Sequence, residues 1–168
     1  FKCSSACQSC HDGSDYCDEC NSSYYRMEDT FICVSECPVG YIIDNNTKKC
    51  LKCISPCNTC KESTSKCITC VSGYNLMESL NTCLDYTPEN YYLDNDTYLK
   101  CESPCKDCLN KQKCISCIDD FLYLPEIGSC LKDCPEGYYK DGQVCLKCDN
   151  TCKMCLSITY CTQCNAGY

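Results

Sequence analysis

The stretch Cys3-Ser4-Ser5-Ala6-Cys7-Gln8-Ser9-Cys10, followed by Cys17-Asp18-Glu19-Cys20, decides the fold because it recurs. From Cys3 the spacing runs C-x3-C-x2-C-x6-C-x2-C-x12-C-x3-C-x12-C, and it restarts at Cys53, Cys101 and Cys148. Self-similarity at a fixed period marks a repeat architecture. The chain divides into repeats at 1–50, 51–98 and 99–145, with a partial fourth at 146–168. Such units are expected to stack end to end, each touching only its neighbours, into an elongated rod.

Cysteine accounts for 27 of 168 residues, a level that marks a disulfide scaffold. There is no Trp, and only three Phe and three Met. A unit of this size with so few large apolar side chains cannot bury enough area to offset its chain entropy. Disulfides, each contributing about 2–4 kcal/mol, are expected to make up the difference. They persist in oxidising surroundings, which places the chain outside the cell, on its surface or in the secretory pathway. The net charge of −8 without a basic stripe argues against nucleic acid or anionic membrane as partners. No apolar run approaches the length of a membrane span, and Phe1 opens directly into the cysteine pattern, so any signal peptide is expected to have been removed or to lie outside this sequence.

Other positions keep step with the cysteines. An apolar residue and a lysine precede each first cysteine: Phe1-Lys2, Leu51-Lys52, Leu99-Lys100 and Leu146-Lys147. An aromatic follows the fifth cysteine at a fixed distance, as Tyr24, Tyr74, Phe121 and Tyr168. A second set, Tyr41, Tyr91 and Tyr138, follows the seventh position. Each repeat therefore reads as a head of four cysteines and two arms. The arms read as short β-hairpins, since Tyr24–Met27 and Phe121–Leu124 favour strands. Glu28-Asp29, Asp44-Asn45-Asn46 and Asp141-Gly142 supply turns. The fold class is thus small, disulfide-rich and mainly β. The in-step aromatics are expected to pack over neighbouring cysteines, leaving Tyr25, Tyr92 and Tyr139 exposed.

The second repeat carries internal evidence on pairing. It has Thr87 where the others have Cys37 and Cys134, and Tyr98 where they have Cys50 and Cys145. Two cysteines vanish together, so Cys37–Cys50 and Cys134–Cys145 are expected to be bonded partners. Complete repeats hold eight, six and eight cysteines, so no bond has to leave its repeat. The fourth holds five, which leaves Cys164 without a partner in this chain. Strain disfavours bonds within a Cys-x2-Cys pair, favouring an interlaced head.

The head spacing, with the Cys37-Pro38-Val39-Gly40-Tyr41 and Cys134-Pro135-Glu136-Gly137-Tyr138 arm starts, resembles furin-like or growth-factor-receptor cysteine-rich repeats. These occur in R-spondins, receptor tyrosine kinase ectodomains and proprotein convertases. The resemblance spans the chain and implies pairing of first with third, second with fourth, fifth with sixth and seventh with eighth. For the first repeat it implies Cys3–Cys10, Cys7–Cys17, Cys20–Cys33 and Cys37–Cys50. For the second it implies Cys53–Cys60, Cys57–Cys67 and Cys70–Cys83. For the third it implies Cys101–Cys108, Cys105–Cys114, Cys117–Cys130 and Cys134–Cys145, and for the last Cys148–Cys155 and Cys152–Cys161. The missing bond at Thr87 and Tyr98 departs from the family pattern and is expected to soften that arm. Arrays rich in Asn, Lys, Ile and Tyr also look like large ciliate surface and secreted proteins.

Metal chemistries compete with disulfides for these cysteines. Cys7, Cys10, Cys17 and Cys20 have the outline of a four-thiolate zinc site, as do Cys57, Cys60, Cys67 and Cys70. That scheme leaves Cys3, Cys33, Cys37 and Cys50 unexplained, and His11 is the single histidine. Asp12, Asp15, Asp18 and Glu19 are oxygen ligands of the kind calcium takes, but no other repeat keeps the cluster, so they read as solvated charge. Asp94-Asn95-Asp96 reads as an arm turn. No metal, other cofactor or catalytic set is expected. Asn21, Asn45 and Asn95 head N-glycosylation sequons. The chain is read as a non-enzymatic extracellular structural or interaction protein, a slice of a longer array in a filament, surface coat or matrix. Its partners would be copies of itself or other surface subunits. The alternatives are a receptor or ligand-like ectodomain binding a protein partner, and an accessory domain of a secreted protease.

Overall fold

The computed structural model describes residues 2–167, so Phe1 and Tyr168 of the two in-step sets lie outside the described residues. Every regular element described is a β-strand. The chain forms two compact units, Phe1–Tyr86 and Thr87–Tyr168.

The first unit holds β1 (Cys7–Cys10), β2 (Cys17–Cys20), β3 (Tyr25–Met27), β4 (Cys33–Val34), β5 (Tyr41–Asp44) and β6 (Lys49–Lys52). It continues with β7 (Cys57–Cys60), β8 (Cys67–Cys70), β9 (Asn75–Met77) and β10 (Thr82–Leu84). The second holds β11 (Tyr91–Asp94), β12 (Thr97–Lys100), β13 (Cys105–Asn110), β14 (Lys113–Cys117) and β15 (Leu122–Leu124). After these come β16 (Ser129–Leu131), β17 (Tyr138–Asp141), β18 (Val144–Lys147), β19 (Cys152–Ser157) and β20 (Tyr160–Cys164).

One plan recurs. The head is a two-stranded antiparallel hairpin with a register irregularity that sets one further pair between two cysteine pairs. In β1–β2 the facing residues are Cys7 and Cys20, Ser9 and Glu19, Cys10 and Cys17. The heads β7–β8, β13–β14 and β19–β20 repeat this, with Thr59 facing Thr69, Asp107 facing Ser116 and Met154 facing Gln163. Each arm is a hairpin. In the first repeat the two arms join as a four-stranded sheet of order β4-β3-β6-β5, with β3 parallel to β6. The third repeat does the same in the order β16-β15-β18-β17.

Three backbone hydrogen bonds recur at equivalent places. The amides of Asn21, Val71, Ile118 and Asn165 donate to the carbonyls of Ala6, Pro56, Pro104 and Thr151, closing each head. The amides of Cys17, Cys67 and Cys114 donate to Phe31, Asn81 and Gly128, tying head to first arm. Those acceptors all have positive φ, at 61°, 51° and 63°. At Gly128 a Cβ would sit 2.7 Å from Lys113 Cγ, so glycine answers a close approach as well as a backbone need. Finally, the amides of Cys53, Cys101 and Cys148 donate to Gly40, Asn90 and Gly137 at 2.8 Å, binding each second arm to the next head.

The core is sulfur. Of 23 buried hydrophobic side chains among the described residues, 17 are cysteine. Three of the others, Met27, Met77 and Leu124, stand at the same offset after the fifth cysteine of their repeats. Tyr98 is buried at the position that Cys50 and Cys145 bury elsewhere, so an aromatic side chain fills the place of the absent cystine.

The aromatic positions need a correction. Tyr24 and Tyr138 do pack against sulfur-containing clusters. Tyr92, expected to be exposed, is buried with Cys101 and Cys108, and Tyr139 packs against Cys148, Cys152 and Cys155. Ile42, at the same position of the first repeat, packs on Cys53, Cys57 and Cys60. Side chains alternate along a strand. Tyr41 and Tyr138 turn back to their own arm pairs, and Ile42, Tyr92 and Tyr139 turn forward onto the next head.

Candidate functional site

The features that could serve function are the cystines, a recurring phenol–carboxylate–ammonium cluster, the sequons and a set of exposed apolar side chains. Thirteen disulfides are present among the described residues. In the first repeat they join Cys3–Cys10, Cys7–Cys17, Cys20–Cys33 and Cys37–Cys50. In the second they join Cys53–Cys60, Cys57–Cys67 and Cys70–Cys83. In the third they join Cys101–Cys108, Cys105–Cys114, Cys117–Cys130 and Cys134–Cys145. In the fourth they join Cys148–Cys155 and Cys152–Cys161, and Cys164 is an exposed free thiol. The head bonds run between residues that are not register partners: Cys7 faces Cys20 across β1–β2 but bonds Cys17.

Cystines crowd one another. The sulfurs of Cys7, Cys17 and Cys33 lie within 4.8 Å of one another, as do those of Cys105, Cys114 and Cys130. Each is bonded, and a cystine sulfur has no thiolate to offer a cation. In the acidic head, Asp18 Oδ1 pairs with His11 Nδ1 at 2.6 Å, and Asp12 lies 3.8 Å from the other ring nitrogen. The Tyr16 ring meets His11 edge-on and stacks on Phe31, each at 4.7 Å between centroids. The Arg26 guanidinium lies 5.0 Å from the centroid of the Phe31 ring.

The second cluster was not expected from the sequence. Tyr41 donates a short hydrogen bond to Asp29 at the tip of the first arm, and Lys52 Nζ lies 3.6 Å from the same carboxylate. In the third repeat Tyr138 donates a short hydrogen bond to Glu126, with Lys147 Nζ 4.0 Å away. The phenol holds the Asp29 carboxyl below its ordinary value of 3.8, and the carboxylate holds the Tyr41 phenol above its ordinary value of 10.0. Tyr138 is raised for the same reason, by Glu126. The cluster locks the two arms of a repeat together. Ser79 stands at the equivalent position in the second repeat, so that repeat has neither the carboxylate nor the second arm cystine. A signal was available: an acid four residues before the sixth cysteine, present as Asp29 and Glu126 and absent at Ser79.

The three sequon asparagines are exposed. Asn45 and Asn95 lie in the turns of the β5–β6 and β11–β12 hairpins, with Asn95 and Asp96 both at positive φ. Asn21 is engaged: its Nδ2 donates to the Ser5 carbonyl at 2.7 Å. Asn165 occupies the same place in the fourth repeat and donates to Asn150 at 2.7 Å. At the β19–β20 hairpin, Met154 and Leu156 of β19, Ile158 of the turn and Tyr160 of β20 are 51 %, 70 %, 58 % and 61 % exposed. Among the described residues no helix is long and apolar enough to cross a membrane.

No protein-family model matches the chain. A stretch of 49 residues, 29 % of the chain, is 37 % identical to proprotein convertase subtilisin/kexin type 5 of Branchiostoma californiense. The match covers 3 % of that relative's length.

Proposed function

We propose that this chain is a non-enzymatic extracellular repeat protein of the furin-like cysteine-rich type, which serves as a structural or interaction element of a filament, surface coat or matrix. The observation that carries the reading is the forward packing of Ile42, Tyr92 and Tyr139 onto the following head. This contact, with one hydrogen bond from Cys53, Cys101 or Cys148, lets repeats be added in series without a new design. The cystine-rich core supports an oxidising location, as does the likeness to a convertase. Asn45 and Asn95, held at turn tips, are suited to carry N-glycans.

Self-association is the expected partner chemistry, and the exposed apolar side chains of the β19–β20 hairpin, Leu156 and Ile158 foremost, support it. Sedimentation velocity across a concentration series tests this. The expected result is reversible association that Leu156→Lys with Ile158→Lys abolishes. A chain that stays monomeric throughout the series would count against self-assembly and favour a different protein partner.

The likeness to a convertase supports a second reading, in which the repeats are an accessory segment of a secreted protease. A catalytic domain encoded in the same polypeptide would establish it.

A further inference from the structure

No disulfide spans the Tyr86–Thr87 peptide bond. Seven close within Phe1–Tyr86 and six within Thr87–Tyr168. The compact units divide at the same bond. Elsewhere the links between successive cystine loops are two or three residues long, such as Asp18-Glu19, Leu51-Lys52 and Leu131-Lys132-Asp133. Between Cys83 and Cys101 the uncrosslinked stretch is Leu84–Lys100, 17 residues.

We propose that Leu84–Lys100 is a processing segment, hydrolysed beside Tyr86 by an extracellular endopeptidase whose specificity pocket takes an aromatic side chain. A protease must draw several residues into an extended conformation, which a two-residue link pinned by cystines at both ends resists. Exposed segments with little tertiary contact are where nicking concentrates. Asp85, Tyr86 and Thr87 are consecutive exposed residues outside any strand, and Tyr86 is 62 % exposed. Beyond them Tyr91 is half-buried and Tyr92 and Tyr98 are buried, which leaves Tyr86 as the exposed aromatic of the segment, while the exposed residues 93–96 lie at the β11–β12 turn. The segment's chemistry selects the enzyme. Asp85, Glu89, Asp94 and Asp96 are acidic, and the one basic residue is Lys100, paired to Tyr91 across β11–β12. Lys100 is exposed but lies at the end of β12 beside Cys101, so a protease that reads basic residues finds its target only within a strand. Water adds across the Tyr86–Thr87 bond, its hydroxyl going to the Tyr86 carbonyl carbon and its proton to the Thr87 nitrogen. Both products keep every cystine they had, so each remains a stapled unit. The extracellular reading enters only in bringing such an enzyme to the chain; the fragmentation follows from the disulfide topology.

Brief digestion of the purified, oxidised chain with chymotrypsin, after free thiols are counted by alkylation, tests the proposal. The expected result is two half-length species on a gel run without reductant, with the new terminus at Thr87. A glutamate-directed protease cutting at Glu89 is expected to separate the chain in the same way. Tyr86→Ala is expected to slow the chymotryptic cut about tenfold or more while leaving the Glu89 cut unchanged. Thr87→Cys with Tyr98→Cys, which rebuilds the cystine of the other repeats, is expected to slow chymotryptic separation about thirtyfold. First cuts in another link, or nicked halves that stay joined without reductant, would overturn the proposal. Free thiols in place of cystines before digestion would overturn the extracellular reading with it, whereas miscutting with every cystine intact sinks the processing segment alone.

Discussion

Replacing both cysteines of the second arm in the third repeat, Cys134→Ala with Cys145→Ala, isolates what one staple contributes. The bond closes a loop with a sequence separation of 11, and Cys145 is 1 % exposed against Leu122 and Leu124. Loop-closure entropy for a ring of that size amounts to about 3 kcal/mol at room temperature. Every other cystine stays in place, so the loss should remain local to β17 and β18. Amide hydrogen exchange is the fitting assay, because it reads opening free energies residue by residue. The amides of Tyr139 and Leu146, a facing pair of β17 and β18, are expected to lose protection by about two orders of magnitude, while those of β13–β14 change little. The unaltered protein contains its own comparison, since β11–β12 lacks this cystine and has Tyr98 buried in its place. That hairpin is expected to exchange faster than β17–β18. Unchanged exchange in the variant, or loss of protection across the whole second unit, would refute the picture of locally stapled arms.

Two further outcomes are expected. Gly128→Ala is expected to destabilise the second unit by about 1–2 kcal/mol, through positive φ and the contact with Lys113. Gly142→Ala has the positive φ but open space around the Cβ and should cost less, and thermal unfolding of the two variants compares them. The pH dependence of stability follows from charge. Asp29 is held below its ordinary value by Tyr41, Asp44 and Asp149 by Thr47 and Thr151, and Glu62 by Lys66. A depressed carboxyl contributes stability above its unfolded value and loses that contribution as pH falls through the folded one. Tyr41 and Tyr138 are raised, so their contribution is complete below 10.0 and is lost as pH rises through the folded value. A melting scan is therefore expected to be flat from about pH 5 to 9, with losses on both sides. A transition centred near neutrality would contradict this assignment.

Much of the architecture is legible because cysteine spacing is rigid information. The restart at Cys53, Cys101 and Cys148 marks the repeats, and β-favouring runs ending in Cys33 and Cys130 mark first-arm hairpins. The joint absence at Thr87 and Tyr98 points to partners that the structure holds together elsewhere, as Cys37–Cys50 and Cys134–Cys145. What escapes the sequence depends on how hairpins meet. Local patterning shows each arm as an antiparallel pair, but the parallel contact of β3 with β6 is non-local. That contact brings arms together so that Tyr41 reaches Asp29, and Tyr138 reaches Glu126 where β15 meets β18. The direction of Tyr92 and Tyr139 was hidden similarly, because alternation tells that neighbours point opposite ways without telling which way leads to the next head.

The central claim is a chain stapled by thirteen cystines with Cys164 left free. Intact mass spectrometry of the deglycosylated chain, alkylated first as purified and then after reduction, tests it most directly. The expected result is one alkyl group before reduction, at Cys164, and 27 after it, with no retained metal. Many alkylated thiols before reduction, together with bound zinc, would contradict the claim and make this an intracellular metal-binding array.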